Sequence, residues 1–288
     1  MRLRLASLSV LASLTAFAVA CVTRTATSTS YKVGPAPYEA YAVRFGSVAA
    51  YPTRSLIVGA DSSRRTDLAM TVWLLRGNGR TILVDAGFYR DKFITRWKPT
   101  TFVKPTEALA TVGVRPEDVT DIIISHVHWD HVDGADLFPR ARIWIQRAEY
   151  EHHTNDSGAV LDRMIDPDDA RMLASLKRAG RVQLIEGDSV EILPRITVYT
   201  GGKHTYASQF VQAATIAGSV IFASDNAYLY ENLERHRPIA QTLDSLSNLR
   251  AQDRMQRLAS ESRLIIPGHD AEVFARFPAA GAGVVRIR

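Results

Sequence analysis

Ile122-Ile123-Ile124-Ser125-His126-Val127-His128-Trp129-Asp130-His131 is the stretch on which the reading of this chain turns. Three consecutive isoleucines make a short apolar run of the kind that forms a buried strand. The run stops at Ser125, directly before a cluster of imidazoles and a carboxylate. Strand ends are where an open α/β architecture gathers side chains from distant parts of a chain. In an extended turn His126 and His128 project to the same side, which suits two imidazoles on one ion. Asp130 and His131 follow once the chain bends and can serve a second ion.

Three more candidates lie at or after strand-like runs: His204 after Ile196 to Tyr199, Asp225 after Val220 to Ala223, and His269 after Leu264 to Ile266. The chain has eight histidines, and His126, His128, His131, His204 and His269 all fall in this one constellation. The other three, His152, His153 and His236, read as surface or satisfied core residues. A carboxylate such as Asp225 can bridge two ions held about 3.5–4 Å apart. Imidazole and carboxylate donors together suit zinc, although iron, manganese or cobalt can occupy the same set. The expected cofactors are therefore two divalent metal ions, with zinc the first choice.

Outward from the motif, strand and helix signals alternate, the signature of an α/β protein. Thr71 to Leu75 and Thr81 to Val84 read as paired strands, and Arg76-Gly77-Asn78-Gly79-Arg80 between them carries hairpin turn chemistry. Arg142 to Gln146 and Phe210 to Ala214 read as further strands. Thr106 to Val112, Asp168 to Arg178 and Leu243 to Ser262 read as helices, and Tyr51 to Asp67 as a long loop. With 288 residues, 46% hydrophobic and 23% charged, the chain has material for one sizeable catalytic domain. The net charge of +5 is spread over scattered residues. No basic run interleaved with aromatics suggests a nucleic-acid groove, so a nucleic-acid partner is not expected.

The N-terminus reads as an address. Arg2 and Arg4 precede an apolar run from Leu5 to Val19, and Ala18-Val19-Ala20 leads into Cys21, the only cysteine. That run is shorter than the roughly 20 residues a membrane span needs, and small residues mark a cleavage site. Residues 1–21 are thus expected to be a signal peptide. Ala18-Val19-Ala20-Cys21 resembles a bacterial lipobox, in which Cys21 would be lipidated; cleavage after Ala20 without lipidation is the alternative. Residues 22–37, rich in Thr, Ser and Pro, read as a flexible tether. The expected location is periplasmic or cell-envelope, with membrane attachment through Cys21. A lone cysteine allows no internal disulfide.

At the residues quoted above the chain resembles the metallo-β-lactamase superfamily, whose pattern is His-x-His-x-Asp-His followed by a later His, Asp and His. The resemblance runs over residues 38–288 and implies a four-layer αββα sandwich with the metals at one edge. It assigns His126, His128 and His204 to one metal, Asp130, His131 and His269 to the other, and Asp225 to the bridge. Asp85, in Ile82-Leu83-Val84-Asp85-Ala86-Gly87, matches an aspartate that supports the ligands from behind. Within the superfamily the chain is similar to the N-acyl-homoserine lactonases. Ile145 to Glu151, Phe222 to Tyr228, and Pro267-Gly268-His269-Asp270 with Phe274 and Phe277-Pro278 carry that likeness. The loop Gly201-Gly202-Lys203-His204-Thr205-Tyr206 departs from their Gly-His-x-x-Gly pattern, and Lys203 and Tyr206 are expected to place larger side chains beside the metals.

The resemblance implies a hydrolase that opens a lactone ring, N-acyl-homoserine-lactone-like, by attack of a metal-bridging hydroxide. Asp130, Asp225 and Tyr228 are the candidate catalytic residues: Tyr228 would donate a hydrogen bond to a substrate carbonyl, and Asp225 could pass a proton to the leaving alkoxide. Leu56-Ile57-Val58, Phe88, Tyr89 and Trp129 can receive an acyl chain or serve as core. The rival within the same metal centre is an ester or thioester hydrolase of glyoxalase II or arylesterase type. A β-lactamase is disfavoured because such enzymes carry Ser or Cys where this chain has Asp225. A metallo-nuclease, an iron-dependent redox enzyme and a non-enzymatic metal-binding lipoprotein complete the alternatives. The residues say nothing of oligomeric state.

Overall fold

A computed structural model describes residues 36–288. The signal peptide, Cys21 and nearly all of the expected tether lie outside the described residues. Among the described residues no helix is long and apolar enough to cross a membrane.

Two sheets face each other. The larger runs, in spatial order, Ala279–Gly281, Val284–Ile287, Glu39–Pro52, Arg65–Gly77, Arg80–Val84, Asp121–Ile123, Arg142–Gln146 and Val182–Ile185, with Thr101–Phe102 paired beside Glu39–Pro52. The smaller runs Ile265–Pro267, Gly218–Ser224, Gln209–Thr215, Ile196–Thr200 and Val190–Leu193. Successive side chains of a strand point to opposite faces, and the central strand Arg65–Gly77 shows the consequence. Trp73 and Leu75 enter the core between the sheets, where Trp73 meets Phe222 of the smaller sheet at 6.1 Å between ring centroids. Val72 and Leu74 enter a second core, shared with Ala108 and Leu109 of helix Pro105–Ala110 and with Leu173 of helix Pro167–Arg178. Ala251 and Met255 of helix Ser245–Leu258 join the core of the smaller sheet. Each fully buried aliphatic side chain contributes about 1.5–3 kcal/mol, so a strand buried on both faces reads as a nearly unbroken apolar run. The layers are helix, sheet, sheet, helix: the expected αββα sandwich.

The hairpin closes as its turn residues require. Gly77 pairs with Arg80 across Asn78-Gly79, whose φ values of 53° and 69° are the left-handed pair of a type I′ turn. The long loop expected over Tyr51 to Asp67 is shorter. The first strand extends to Pro52, a 3-10 turn covers Thr53–Ser55, and the next strand starts at Arg65. Register shifts between Arg44 and Gly46 and between Val48 and Tyr51 break the alternation there, which hides the strand from a period-two reading. Helix Ser245–Leu258 is also shorter than expected, because Asp244 caps it by accepting from the Leu246 and Ser247 amides.

Arg90 clamps the segment after Gly87 onto the turn that follows the histidine motif. It meets the buried Asp133 and Asp169, the latter at 2.9 Å, and the half-buried Asp136. Burial raises the Asp169 carboxyl to about 7, outweighing the opposing pull of Arg90. The folded chain therefore keeps a proton that an unfolded carboxyl, titrating near about 3.9, has released. Stability should fall as pH rises between those values, because the folded state binds more protons than the unfolded one. Denaturant midpoints measured from about pH 5 to about pH 8 should fall more steeply for the parent than for Asp169→Asn. Parallel profiles would show that Asp169 is ionised throughout.

Candidate metal centre

Seven side chains from four separate stretches of the sequence converge at one edge of the sandwich. Strand Asp121–Ile123 delivers the histidine motif, and the short helix Trp129–Val132 turns Asp130 and His131 back towards it. Gly218–Ser224 ends directly before Asp225, and Ile265–Pro267 directly before Gly268-His269. Those two strands run parallel and side by side, so their ends emerge together. Gly268 is required by close approach, since a Cβ there would lie 2.8 Å from Asp225 Oδ1 and 2.9 Å from the Ser224 carbonyl.

The donors fall into two groups. His128 Nδ1 lies 3.1 Å from His126 Nε2 and 2.9 Å from His204 Nε2. In the second group Asp130 Oδ2 lies 3.7 Å from His131 Nε2 and 3.6 Å from His269 Nε2. Asp225 touches both. Its Oδ2 is 3.7 Å from His126 Nε2 and 3.3 Å from His204 Nε2, while its Oδ1 is 3.2 Å from His131 Nε2 and 3.0 Å from His269 Nε2. The set fits divalent cations by two observations. His131 Nε2 and Asp225 Oδ1 are buried without a hydrogen-bond partner, although only 3.2 Å separates them; donors that aim at a common point leave this trace. The second is electrostatic. Burial works against a charge on His131, yet Asp225, Asp130 and Asp85 outweigh it and raise its pKa well above the ordinary value. Positive charge is favoured beside His131. Burial and the neighbouring imidazoles instead lower His126 and His128 well below the ordinary value and keep them neutral, as metal donors must be.

Outer partners orient the rings. Asp85 Oδ1 accepts from the Ser125 amide at 2.7 Å, and its Oδ2 from Ser125 Oγ at 2.9 Å, Ser224 Oγ at 3.0 Å and His131 Nδ1 at 2.8 Å. His126 Nδ1 meets Ser125 Oγ at 2.9 Å, His204 Nδ1 the Gln241 carbonyl at 2.7 Å, and His269 Nδ1 the Ala69 carbonyl at 3.2 Å. Each bond turns Nε2 of its ring inward. Sequence reasoning had singled out Asp85 but missed Ser125, Ser224 and Gln241. The serines adjoin the donors at strand ends, which is a usable signal; Gln241 lies in a connecting loop and offers none.

Tyr228 is buried beside the cluster, its hydroxyl 3.4 Å from His204 Nδ1. Burial, then the Asp225 and Asp130 carboxylates, raise its pKa well above the usual phenol value, so it keeps its proton. Tyr228, Asp130, Asp225 and His269 line one pocket whose apolar wall is Leu56, Leu68, Met70, Trp97 and Trp129. Of the residues expected to receive an apolar group, Leu56 and Trp129 reach this pocket. Ile57 is buried core, Val58 is exposed, Phe88 supports Trp129 from behind at 4.6 Å, and the Tyr89 hydroxyl bonds Asp136. The expectation for Lys203 and Tyr206 is corrected. Lys203 adopts φ 59° and donates to the Tyr206 carbonyl at 2.8 Å, while the exposed Tyr206 ring stacks on His152 at 3.9 Å. Neither lines the pocket, because each finds a partner on the outer surface. His236 is exposed and paired with Asp253 at 3.0 Å, as a surface histidine should be.

A fold with these layers and this donor set belongs to the class of metal-dependent hydrolases. Residues 65–269 match the family description of the metallo-beta-lactamase superfamily, and the chain belongs to that family. Its relatives narrow the group. The chain is 30% identical over 221 residues to an N-acyl homoserine lactonase from Bacillus sp, covering 72% of this chain and 83% of that protein. It is 31% identical over 166 residues to an N-acyl homoserine lactonase from Bacillus thuringiensis, covering 57% of this chain and 61% of that protein. Among solved structures, a quorum-quenching N-acyl homoserine lactone lactonase superposes with a TM-score of 0.71 at 25% identity, covering 86% of this chain and 98% of that one.

Proposed function

We propose that this protein opens the ring of N-acyl homoserine lactones with two divalent ions, zinc in the first instance. His126, His128 and His204 would hold one ion, Asp130, His131 and His269 the other, and Asp225 would span both. The observation that carries this reading is the placement of Asp225, one carboxylate oxygen facing each group of donors, in a pocket shared with Tyr228 and an apolar wall. Ions so held would supply an activated water at neutral pH and polarise a carbonyl. The named relatives act on this substrate class, which supports the choice of a lactone over other esters.

The chain's own residues do the rest. Leu56, Met70, Trp97 and Trp129 favour an apolar acyl group and exclude bulk water. Tyr228, kept protonated, can donate from its hydroxyl to a carbonyl oxygen of the bound substrate. Asp225, which lines the pocket and is ionised, would take up the proton that the attacking water loses and return it to the departing alkoxide. Tyr228→Phe preserves the ring and its packing, so kcat on a lactone should fall by about 10²-fold with little change in KM; unchanged kcat would remove Tyr228 from the reaction.

The deciding experiment is a substrate panel on zinc-loaded protein: acyl-homoserine lactones, aryl esters, thioesters, nitrocefin and phosphodiesters. Lactone opening that stops on chelation and returns with zinc is the expected result. Lactone turnover no faster than buffer, with thioesters or aryl esters cleaved instead, would overturn the lactonase reading in favour of the esterase type. We also propose that the domain is exported and anchored through Cys21. Palmitate label lost in Cys21→Ala is the expected outcome, and an unlabelled parent would refute it.

A further inference from the structure

His153 is the last residue of helix Arg147–His153 and is fully buried. Neither of its ring nitrogens is in line for a hydrogen bond, although the Asp162 carboxylate is within reach. A buried polar group left unpaired is costly, so this ring calls for an explanation that a satisfied core histidine does not. Its Nδ1 lies 3.2 Å from Asp162 Oδ1 and its Nε2 3.6 Å from Glu149 Oε1. The neighbouring His152 is exposed, and ligand atoms of His152, His153 and Asp162 all lie within 4.8 Å of one another.

We propose that His152, His153 and Asp162 form a further divalent-metal site, separate from the central cluster and suited to zinc. The central cluster supplies the comparison. There too a nitrogen and an oxygen, His131 Nε2 and Asp225 Oδ1, sit 3.2 Å apart without a hydrogen bond. The rings of His126 and His128 are 4.7 Å apart at 80°, and those of His126 and His204 4.6 Å apart at 84°. The rings of His152 and His153 are 4.8 Å apart at 87°, the same edge-on disposition.

Each donor is also held in place. The Met164 amide donates to Asp162 Oδ1 at 2.9 Å, and the His152 ring lies flat on Tyr206, 3° from parallel. Behind His153, Glu149 accepts from the Val127 amide at 3.2 Å, Thr205 Oγ1 at 2.6 Å and the Ala207 amide at 2.6 Å. Glu149 Oε1, 3.6 Å from His153 Nε2, sets a negative charge behind the ring without a hydrogen bond to it. The same carboxylate ties the site to the loops that carry His126, His128 and His204. Two imidazoles and one carboxylate leave the fourth position of a tetrahedral ion to water, and the exposed His152 makes the ion exchangeable.

The test is zinc stoichiometry by equilibrium dialysis on tag-free protein, read as the difference between the parent and two variants, His152→Ala and Asp162→Asn. Both positions are solvent-accessible, so folding is not at stake as it would be on removing His153. The expected result is one weaker equivalent in the parent that loses about tenfold or more in affinity in each variant. The tighter equivalents and the hydrolytic rate at low free zinc stay unchanged. Reading a difference makes the outcome independent of how many ions the central cluster takes and of its substrate. Identical isotherms for parent and variants would overturn the proposal and leave His153 and Asp162 as an ion pair.

Discussion

Asp225→Asn should cost more than about 10²-fold in kcat/KM, exceeding the 10–100-fold typical of losing an outer partner of a metal site. The carboxylate faces imidazoles on both sides, 3.3 Å from His204 Nε2 through Oδ2 and 3.0 Å from His269 Nε2 through Oδ1. An amide of the same shape keeps one oxygen and replaces the other with an NH2 that cannot bind a cation. It also removes the negative charge. Although burial pushes the Asp225 carboxyl up, His131 and His269 hold it well below the usual range, so the side chain is ionised in the native state. Zinc content should therefore fall together with activity. A variant that retained both full activity and full zinc occupancy would exclude the bridging role.

Asp85 should give the second-largest effect, and through position rather than contact with substrate. Asp85 is fully buried and adopts φ 59°, a left-handed conformation that aspartate tolerates better than most residues. From there it accepts from Ser125, Ser224 and His131 at once, joining the ends of three strands. Asp85→Asn keeps the shape but sets an NH2 against groups that are themselves donors. Zinc affinity should drop by about 10–100-fold, with lost activity restored at higher zinc. Asp85→Ala leaves four donors unpaired in the interior and should lower stability by about 3–5 kcal/mol. Denaturant unfolding and zinc titration of the two variants separate the effects. If added zinc fails to restore Asp85→Asn, its role is not the orientation of His131.

The clustered donors of the candidate metal centre were legible because their chemistry is written in short spacings. His126, His128, Asp130 and His131 lie within six consecutive positions, Asp225 directly follows an apolar strand, and His269 follows another after one glycine. Much of the fold was legible for the same reason: strand Arg142–Gln146 runs where its pattern indicates, and the turn Asn78-Gly79 closes the hairpin. Elements held by remote partners were not. Val284–Ile287 is a strand because it pairs with Glu39–Pro52 across the whole length of the chain, and helices Asp91–Trp97 and Arg147–His153 are too short for their periodicity to stand out. Lys203 and Tyr206 were misplaced for a related reason. Position next to His204 says nothing about side-chain direction, and both turn outward to partners of their own.

Residue type and local spacing by themselves determined the donor set, the family resemblance and the alternation of strands and helices, because hydrophobic period and ligand chemistry are local properties. Tertiary structure alone decided that the two carboxylate oxygens of Asp225 face different groups of donors, that Gln241 and Ala69 orient two of the rings, and that Trp97 joins Trp129 in the pocket wall. It also decided that His153 is a buried ring facing the Asp162 carboxylate at 3.2 Å without an aligned hydrogen bond. These are relations between segments that the parallel pairing of strand ends and the packing of two sheets bring together, and no local pattern encodes them.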